Sequence, residues 1–258
     1  MFEGKYFLFN LEKGIGTLTL NRPPYNIFEA GFYVELGEVE DLIAKQEGIR
    51  CLIINANGKC FSAGIDLKYL QGVSSGYVLE KLPWLQKIYG FWQEQNYPVI
   101  AAVQGMCTGS GLEFILGADI RIAAEDARFS LPEVQLGLSP DMGGTSRLTR
   151  LVGLGQAKRL ILTGEEIGAE EALRIGLVEA VVPLEELNAR ALKMAKTIAR
   201  SPEAAVRFAK KGVNLTDEGG LRAGQIFEQA QSTYCCGTED LQKAVAAYLA
   251  MLSAKSKK

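Results

Sequence analysis

Val99-Ile100-Ala101-Ala102-Val103-Gln104-Gly105-Met106-Cys107-Thr108-Gly109-Ser110-Gly111-Leu112-Glu113-Phe114-Ile115-Leu116 changes character along its length. Its opening run, residues 99–103, is apolar at every position, as a strand covered on both faces should be. A turn carrying Gly105, Gly109 and Gly111 follows, and a helix is predicted to start near Ser110. Residues 51–54 (Cys-Leu-Ile-Ile) and 119–123 (Asp-Ile-Arg-Ile-Ala) read as strands of the same kind. Each is followed by a glycine-containing turn or a polar loop, with helical patterns between them. That alternation predicts an α/β fold.

Working outward, residues 6–11 and 17–20 read as a hairpin broken at Lys13-Gly14 and ended by Asn21-Arg22-Pro23-Pro24. Phe32, Leu36, Val39 and Leu42 recur at helical spacing and predict a helix over residues 29–44. From Leu154 onward helical spacing dominates, over residues 184–199, 202–213, 221–234 and 239–252, with one strand-like run at 178–182. No Gly/Ser-rich or proline-rich linker interrupts the chain. A core over residues 1–200 and a helical region over 201–258 are therefore expected within one structural unit.

Composition removes several function classes. The 258 residues carry 28 basic and 30 acidic side chains, a formal net charge of −2, and 48% are hydrophobic. There is ample apolar surface to offset chain entropy, so disorder is excluded as the main state. A near-neutral balance argues against a dedicated nucleic-acid binder. The absence of histidine removes Ser-His-Asp and Cys-His nucleophile mechanisms and the usual histidine metal sites. Proton transfer must then fall to Asp, Glu, Lys, Tyr or Cys. The five cysteines, Cys51, Cys60, Cys107, Cys235 and Cys236, form no CxxC and no regular framework, which predicts reduced thiols and no zinc site. Residues 1–5 lack a charged lead-in to a long apolar run, so no signal peptide is expected. Residues 98–124 are too often interrupted by polar residues and glycine to cross a membrane.

Three segments can carry chemistry. In the first, Glu113 follows a glycine-rich turn and is flanked by Leu112, Phe114, Ile115 and Leu116. A carboxylate in apolar surroundings holds its proton more tightly and can act as acid or base near neutrality. A solvated helix stripe is the plainer alternative. The turn itself is neither a P-loop, since no Gly-Lys-Ser/Thr follows, nor the dinucleotide fingerprint, since Phe114 stands at its third glycine. In the second segment, residues 129–145, Glu133 and Asp141 sit in an apolar, turn-rich loop. The alternatives there are a surface charge for Glu133 and turn or helix-start stabilisation for Asp141. In the third, residues 57–67, Ser62-Ala63-Gly64 can present backbone N–H groups to a ligand, and Asp66 can cap a following helix.

Taken together these segments resemble the signature regions of the crotonase superfamily, the enoyl-CoA hydratase/isomerase family. Residues 61–67 (Phe-Ser-Ala-Gly-Ile-Asp-Leu) resemble its first acyl-CoA-binding loop. Residues 109–113 resemble its glycine-rich turn and first catalytic position, and residues 132–145 its second catalytic region. The opening Leu20-Asn21-Arg22-Pro23 and residues 169–178 fit as well, so the resemblance spans nearly the whole chain in order.

The resemblance implies a spiral of β-β-α units with a helical C-terminal trimerisation region, assembled as a homotrimer or a dimer of trimers. It implies binding of an acyl-CoA thioester by Ser62, Ala63, Gly64, Ile65, Asp66, Gly109 and Ser110. Ala63 and Ser110 would supply the oxyanion-hole N–H groups. Serine stands at 110 where the family usually has glycine. No metal and no cofactor is implied, coenzyme A being part of the substrate. For hydration of a 2-enoyl-CoA, Glu113 would be the base toward water and Glu133 the acid toward Cα. Asp141 adds a second pattern, since the family's dienoyl-CoA isomerases pair an aspartate there with the glutamate. Isomerisation of a 3,5-dienoyl-CoA, or of a 3-enoyl-CoA, by Glu133 and Asp141 is thus the alternative. A non-catalytic acyl-CoA- or RNA-binding member is a third; the basic clusters, Lys210-Lys211 and the terminal lysines, are sparse, and nucleic acid is not an expected partner. A cytoplasmic protein, or a mature organelle-matrix one, is expected. Residues 72–85, with Val73, Tyr77, Val78, Leu79 and Leu82, are expected to line an apolar acyl pocket.

Overall fold

The structure is a computed structural model and describes residues 1–255. The chain forms two compact units, Met1–Lys196 and Thr197–Lys258. In chain order the strands are β1 (Phe2–Glu3), β2 (Phe7–Glu12), β3 (Ile15–Leu20), β4 (Cys51–Ala56), β5 (Val99–Val103), β6 (Met106–Thr108), β7 (Ile120–Ala124), β8 (Arg128–Ser130), β9 (Ile167–Gly168) and β10 (Ala180–Val182). The α-helices are α1 (Ala30–Ala44), α2 (Leu67–Gln71), α3 (Ser75–Glu94), α4 (Ser110–Ile115), α5 (Gly144–Thr163), α6 (Ala169–Arg174), α7 (Leu187–Arg200), α8 (Glu203–Cys236) and α9 (Glu239–Lys255).

Seven strands make one sheet in the order β1-β2-β3-β4-β5-β7-β10, and β6, β8 and β9 make a second. The hairpin β2–β3 is antiparallel, with Phe7 opposite Leu20 and Glu12 opposite Ile15. From β3 onward the neighbours β4, β5, β7 and β10 pair in parallel. Parallel neighbours need crossovers, which α1 supplies between β3 and β4, and α2 and α3 between β4 and β5. Every residue of β5 is buried, which explains its all-apolar composition.

The site depends on two chain segments that leave the sheet side by side. The segment after β5 continues as β6 and then α4. The segment after β4 runs alongside, where Ser62 bridges Cys107 in parallel. Ser62 N–H donates to Met106 O at 3.0 Å, and Thr108 N–H donates to Ser62 O at 3.0 Å. A helix as short as α4 does not hold itself together in water. It is held by burial of all its residues and by Phe114, whose ring packs edge-on to Tyr89 at 5.6 Å and Trp92 at 5.5 Å.

In the second unit α8 turns at Gly220, whose φ of 76° and ψ of 176° lie outside the helical region. Phe208, before the turn, packs on Phe227 at 6.0 Å and Tyr234 at 5.2 Å, after it. The two helices expected over residues 202–213 and 221–234 are thus the arms of a hairpin. Among the described residues, no helix is long and apolar enough to cross a membrane.

Candidate active site

A cavity of about 730 Å³ opens in the first unit, and Glu113, Glu133 and Asp141 all line it, with Ile65 and Ser110. Carboxyls from two separate segments of the sequence are therefore brought to one space. The wall includes Val73, Tyr77, Val78, Leu82 and Leu85 from residues 72–85. Leu79, expected there, instead points to solvent at 82% exposed, because it lies on the outer face of α3.

Glu113 occupies the first turn of α4 and is 1% exposed. Its Oε1 accepts the N–H of Met142 at 2.8 Å and of Gly144 at 2.9 Å. Those bonds leave Oε2 for a ligand. Burial is the main influence on its acidity and pushes the carboxyl up to about 8. The backbone N–H from Gly144 opposes that rise, and the charges of Glu133 and Asp141 add to it.

Glu133 opens a 3-10 turn, Glu133–Leu136, that ends at Gly137. Burial raises its carboxyl above the usual range, and Oε2 is buried with no hydrogen-bond partner. It rests over Gly109. A Cβ on that glycine would lie 3.0 Å from Glu133 Oε1, and its φ of 54° is itself unsuited to other residues. Asp141 is likewise raised by burial, its own backbone N–H opposing. The loop carrying it is fixed from three sides. Gln86 Nε2 donates to Asp141 O at 2.9 Å, Arg147 Nη1 donates to Met142 O at 3.1 Å, and Glu113 receives Met142 N–H. Asp141 is not the start of α5, whose preceding residue is Gly143.

The structure corrects one expected role. Ala63 N–H is committed to Tyr25 O at 2.9 Å and is not available to a thioester oxygen. The free donor of that loop is Ile65 N–H. Phe28 bridges Ile65 in parallel by donating to Gly64 O at 2.9 Å and accepting from Asp66 N–H at 2.7 Å. Such a bridge engages the residues either side of Ile65 and turns its own N–H the opposite way. Ser110 N–H is also free, being in the first turn of α4 where no helical acceptor exists. The two loops touch here, since a Cβ on Gly64 would lie 3.5 Å from Ser110 N. That same Cβ would meet Thr108 O at 2.6 Å, and φ at Gly64 is 81°, so only glycine allows the approach.

The other residues expected to bind substrate are not among those lining the cavity. Ser62 Oγ donates to Asn26 O at 2.8 Å and accepts Gly64 N–H at 3.0 Å. Asp66 caps α2, its Oδ1 accepting Lys68 N–H at 2.8 Å. Sequence reasoning missed Gln86, as well as Tyr33 and Tyr69 in the wall; an isolated glutamine or tyrosine on a helix gives no signal of what it faces.

The site thus offers two free backbone donors beside three carboxyls whose hold on a proton is strengthened by burial. That set can stabilise an oxyanion and move protons at an adjacent carbon.

A sequence profile of the family described as Enoyl-CoA hydratase/isomerase matches residues 10–257. The chain is 36% identical over 240 residues to a crotonyl-CoA hydratase of Syntrophomonas wolfei, covering 92% of each. It is 35% identical over 233 residues to a 2,3-dehydroadipyl-CoA hydratase of Escherichia coli, covering 90% of this chain and 91% of that one. The solved structure of an enoyl-CoA hydratase from Bacillus anthracis superimposes with a TM-score of 0.89 at 32% identity, covering 95% of this chain and 96% of the other. With the fold, the profile and the relatives in agreement, the chain is an enzyme of the enoyl-CoA hydratase/isomerase family, in the crotonase superfamily.

Proposed function

We propose that the enzyme adds water across the double bond of a 2-enoyl-CoA. The observation that carries this reading is the placement of Glu113 and Glu133 in one cavity, each acting on the same space beside the free N–H groups of Ile65 and Ser110. The thioester oxygen takes those two N–H groups. A water molecule lies between the carboxyls. Glu113 removes one of its protons as the oxygen bonds to Cβ, and the π electrons move onto the thioester as an enolate. Fixed donors stabilise the charge where it appears. Glu133 then protonates Cα. The proton on Glu113 returns to Glu133, so water is consumed and nothing else changes. No cofactor takes part in this sequence. The acyl tail runs along Val73, Val78, Leu82 and Leu85. The hydratase names of the relatives support the reaction class.

A second reading rests on Asp141, which shares the cavity and makes Glu133 a weaker acid through its charge. In that reading Glu133 and Asp141 move a proton along a dienoyl chain. A paired assay separates them. With crotonyl-CoA the conjugated absorbance falls and Glu133→Gln abolishes the change, whereas Asp141→Asn leaves it intact. A 3,5-dienoyl-CoA gives no 2,4-dienoyl absorbance. Growth of that absorbance, lost in Asp141→Asn, overturns hydration in favour of isomerisation. We also propose a homotrimer or dimer of trimers, because the second unit exposes Val213 (70%) and Leu221 (71%). Light scattering giving a monomer mass refutes it.

A further inference from the structure

Both N–H groups that Glu113 Oε1 accepts come from one short turn, residues 141–144. A peptide unit is planar and trans, so its N–H and its C=O point in opposite directions. Whatever holds the carbonyl of a unit therefore aims its N–H. The unit joining Asp141 to Met142 gives its N–H to Glu113 Oε1 at 2.8 Å, and its carbonyl, Asp141 O, accepts Gln86 Nε2 at 2.9 Å. The unit joining Gly143 to Gly144 gives its N–H to the same oxygen at 2.9 Å, and its carbonyl, Gly143 O, accepts the backbone N–H of Arg147 at 2.8 Å. Between them, Met142 O accepts Arg147 Nη1 at 3.1 Å. Arg147 Nε in turn donates to Gln93 Oε1 at 3.1 Å. The guanidinium packs so closely under the turn that a Cβ on Gly143 would overlap its Nη1.

Three successive carbonyls are thus held from outside the turn, one by Gln86 of α3 and two by Arg147 of α5, and Gln93 ties that arginine back to α3. Neither Gln86 nor Arg147 lines the cavity, so neither meets the substrate. Gln86 is exposed, and water can replace its bond to Asp141 O at little cost to folding. Water, however, follows a carbonyl wherever it turns, whereas an amide on α3 fixes its direction. With Oε1 held by two aimed N–H groups, Oε2 of Glu113 keeps one direction toward the cavity. A small misdirection of such a group weakens catalysis strongly.

We propose that Gln86 and Arg147 are positioning residues which hold the carbonyls of the 141–144 turn and so aim the N–H groups of Met142 and Gly144 at Glu113, fixing its carboxyl for attack by water. This rests on the proposed role of Glu113 as the base.

The test uses the full-length protein with Gln86→Met, which keeps length and removes the donor, and Arg147→Lys, which keeps the charge and removes the fork. For crotonyl-CoA hydration, Gln86→Met is expected to lower kcat about fivefold and Arg147→Lys about twentyfold, each with KM within about twofold. The double variant loses less than the product of the two, because both release one turn. A pH profile separates aim from mere packing. The charges of Glu133 and Asp141 raise the proton affinity of Glu113, the Arg147 guanidinium faces it with opposite sign, and the phenols of Tyr33 on α1 and Tyr89 on α3 stand against it uncharged. Gln86→Met changes none of these charges. Loosening the Met142 N–H removes a bond to the ionised form, so the midpoint of kcat/KM moves to higher pH than in the wild type, with the urea midpoint unchanged. Carbon-13 resonances of labelled glutamate read the same shift without turnover, the Glu113 signal being the one lost in Glu113→Gln. Wild-type kcat and an unshifted Glu113 titration in Gln86→Met overturn the inference, as does a loss confined to KM or full activity in Arg147→Lys. If the wild-type protein does not hydrate crotonyl-CoA, the proposed function fails; a Glu113 signal that still shifts in Gln86→Met then shows the positioning intact, so the two failures are distinct.

Discussion

Glu113 is pulled both ways. Two backbone N–H groups favour its ionised form, and burial outweighs them. Its carboxyl lies near 8 in the fold against an ordinary 4.5, so the folded protein keeps a proton that the unfolded chain releases. Its contribution to stability therefore falls as pH rises from about 4.5 to about 8 and stays at its lowest above that. Gln at 113 still accepts both N–H groups and has no charge to bury. Glu113→Gln should lose hydration by at least about a hundredfold and yet unfold at higher urea than the wild type above pH 8. The gain follows about 1.4 kcal/mol for each tenfold change in proton affinity. A variant less stable than wild type at pH 9 contradicts this. For the same reason kcat/KM for hydration should rise with pH up to about 8, where Glu113 becomes a free base. A profile that falls through that region means Glu113 acts as the acid instead. The carboxyls were legible in the sequence because a charge amid Leu112, Phe114 and Ile115 is conspicuous. Ile65 N–H was not. Which amide of residues 62–66 stays free depends on the bridge to Phe28, a contact no local pattern encodes.

At the scale of elements, the long apolar runs of β4, β5 and β7 announce themselves, whereas β6, β8 and β9 are two or three residues long and show no period to read. Helix α1 follows from its apolar stripe, but the stripe conceals an anomaly. Glu40 lies among the buried positions of α1 at 4% exposed, its Oε1 has no partner, and burial raises its carboxyl to about 10. Asp41 adds to the rise and Lys87 of α3 opposes it. Here too the folded state holds the proton more tightly, so Glu40 weakens the fold progressively from about pH 4.5 to about 10. Glu40→Met keeps the length and removes the carboxyl. It should raise stability at pH 7 by on the order of 3 kcal/mol, with the gap to wild type widening toward pH 9. Urea midpoints across that range test it, and a constant or negative difference shows that Glu40 has a compensating partner when folded. A second element-level expectation concerns the turn before α4. Gly109→Ala forces a Cβ into φ of 54° and toward Glu133 Oε1, and should cost about 1–3 kcal/mol. It should also lower kcat more than it raises KM, since the displaced group is the proposed acid.

Over the whole first unit, the parallel sheet must be closed at its far edge, where β10 is only three residues long. Side chains complete what so short a ladder cannot. Arg121 of β7 is 2% exposed and bonds Glu179, the residue before β10, in both directions. Arg121 N–H and Nη2 donate to the Glu179 carboxylate at 2.5 and 2.6 Å, and Glu179 N–H returns a bond to Arg121 O at 2.9 Å. The guanidinium also donates to Leu177 O at 2.8 Å and Ala118 O at 2.6 Å. In the sequence Arg121 looks like an interruption of an apolar run; in the fold it ties the last strand to the sheet. The two partners are not equivalent. The Glu179 carboxylate is 40% exposed, so water replaces much of what its loss removes from Arg121. Glu179→Ala should cost only about 1–2 kcal/mol. Arg121→Ala should cost about 3–5 kcal/mol, because it strands two buried carbonyls and leaves a cavity. Neither residue reaches the cavity that holds the carboxyls, so kcat of the folded enzyme should be unchanged in both. Equal losses in urea unfolding mean that the ion pair, and not the carbonyl network around the guanidinium, secures the edge.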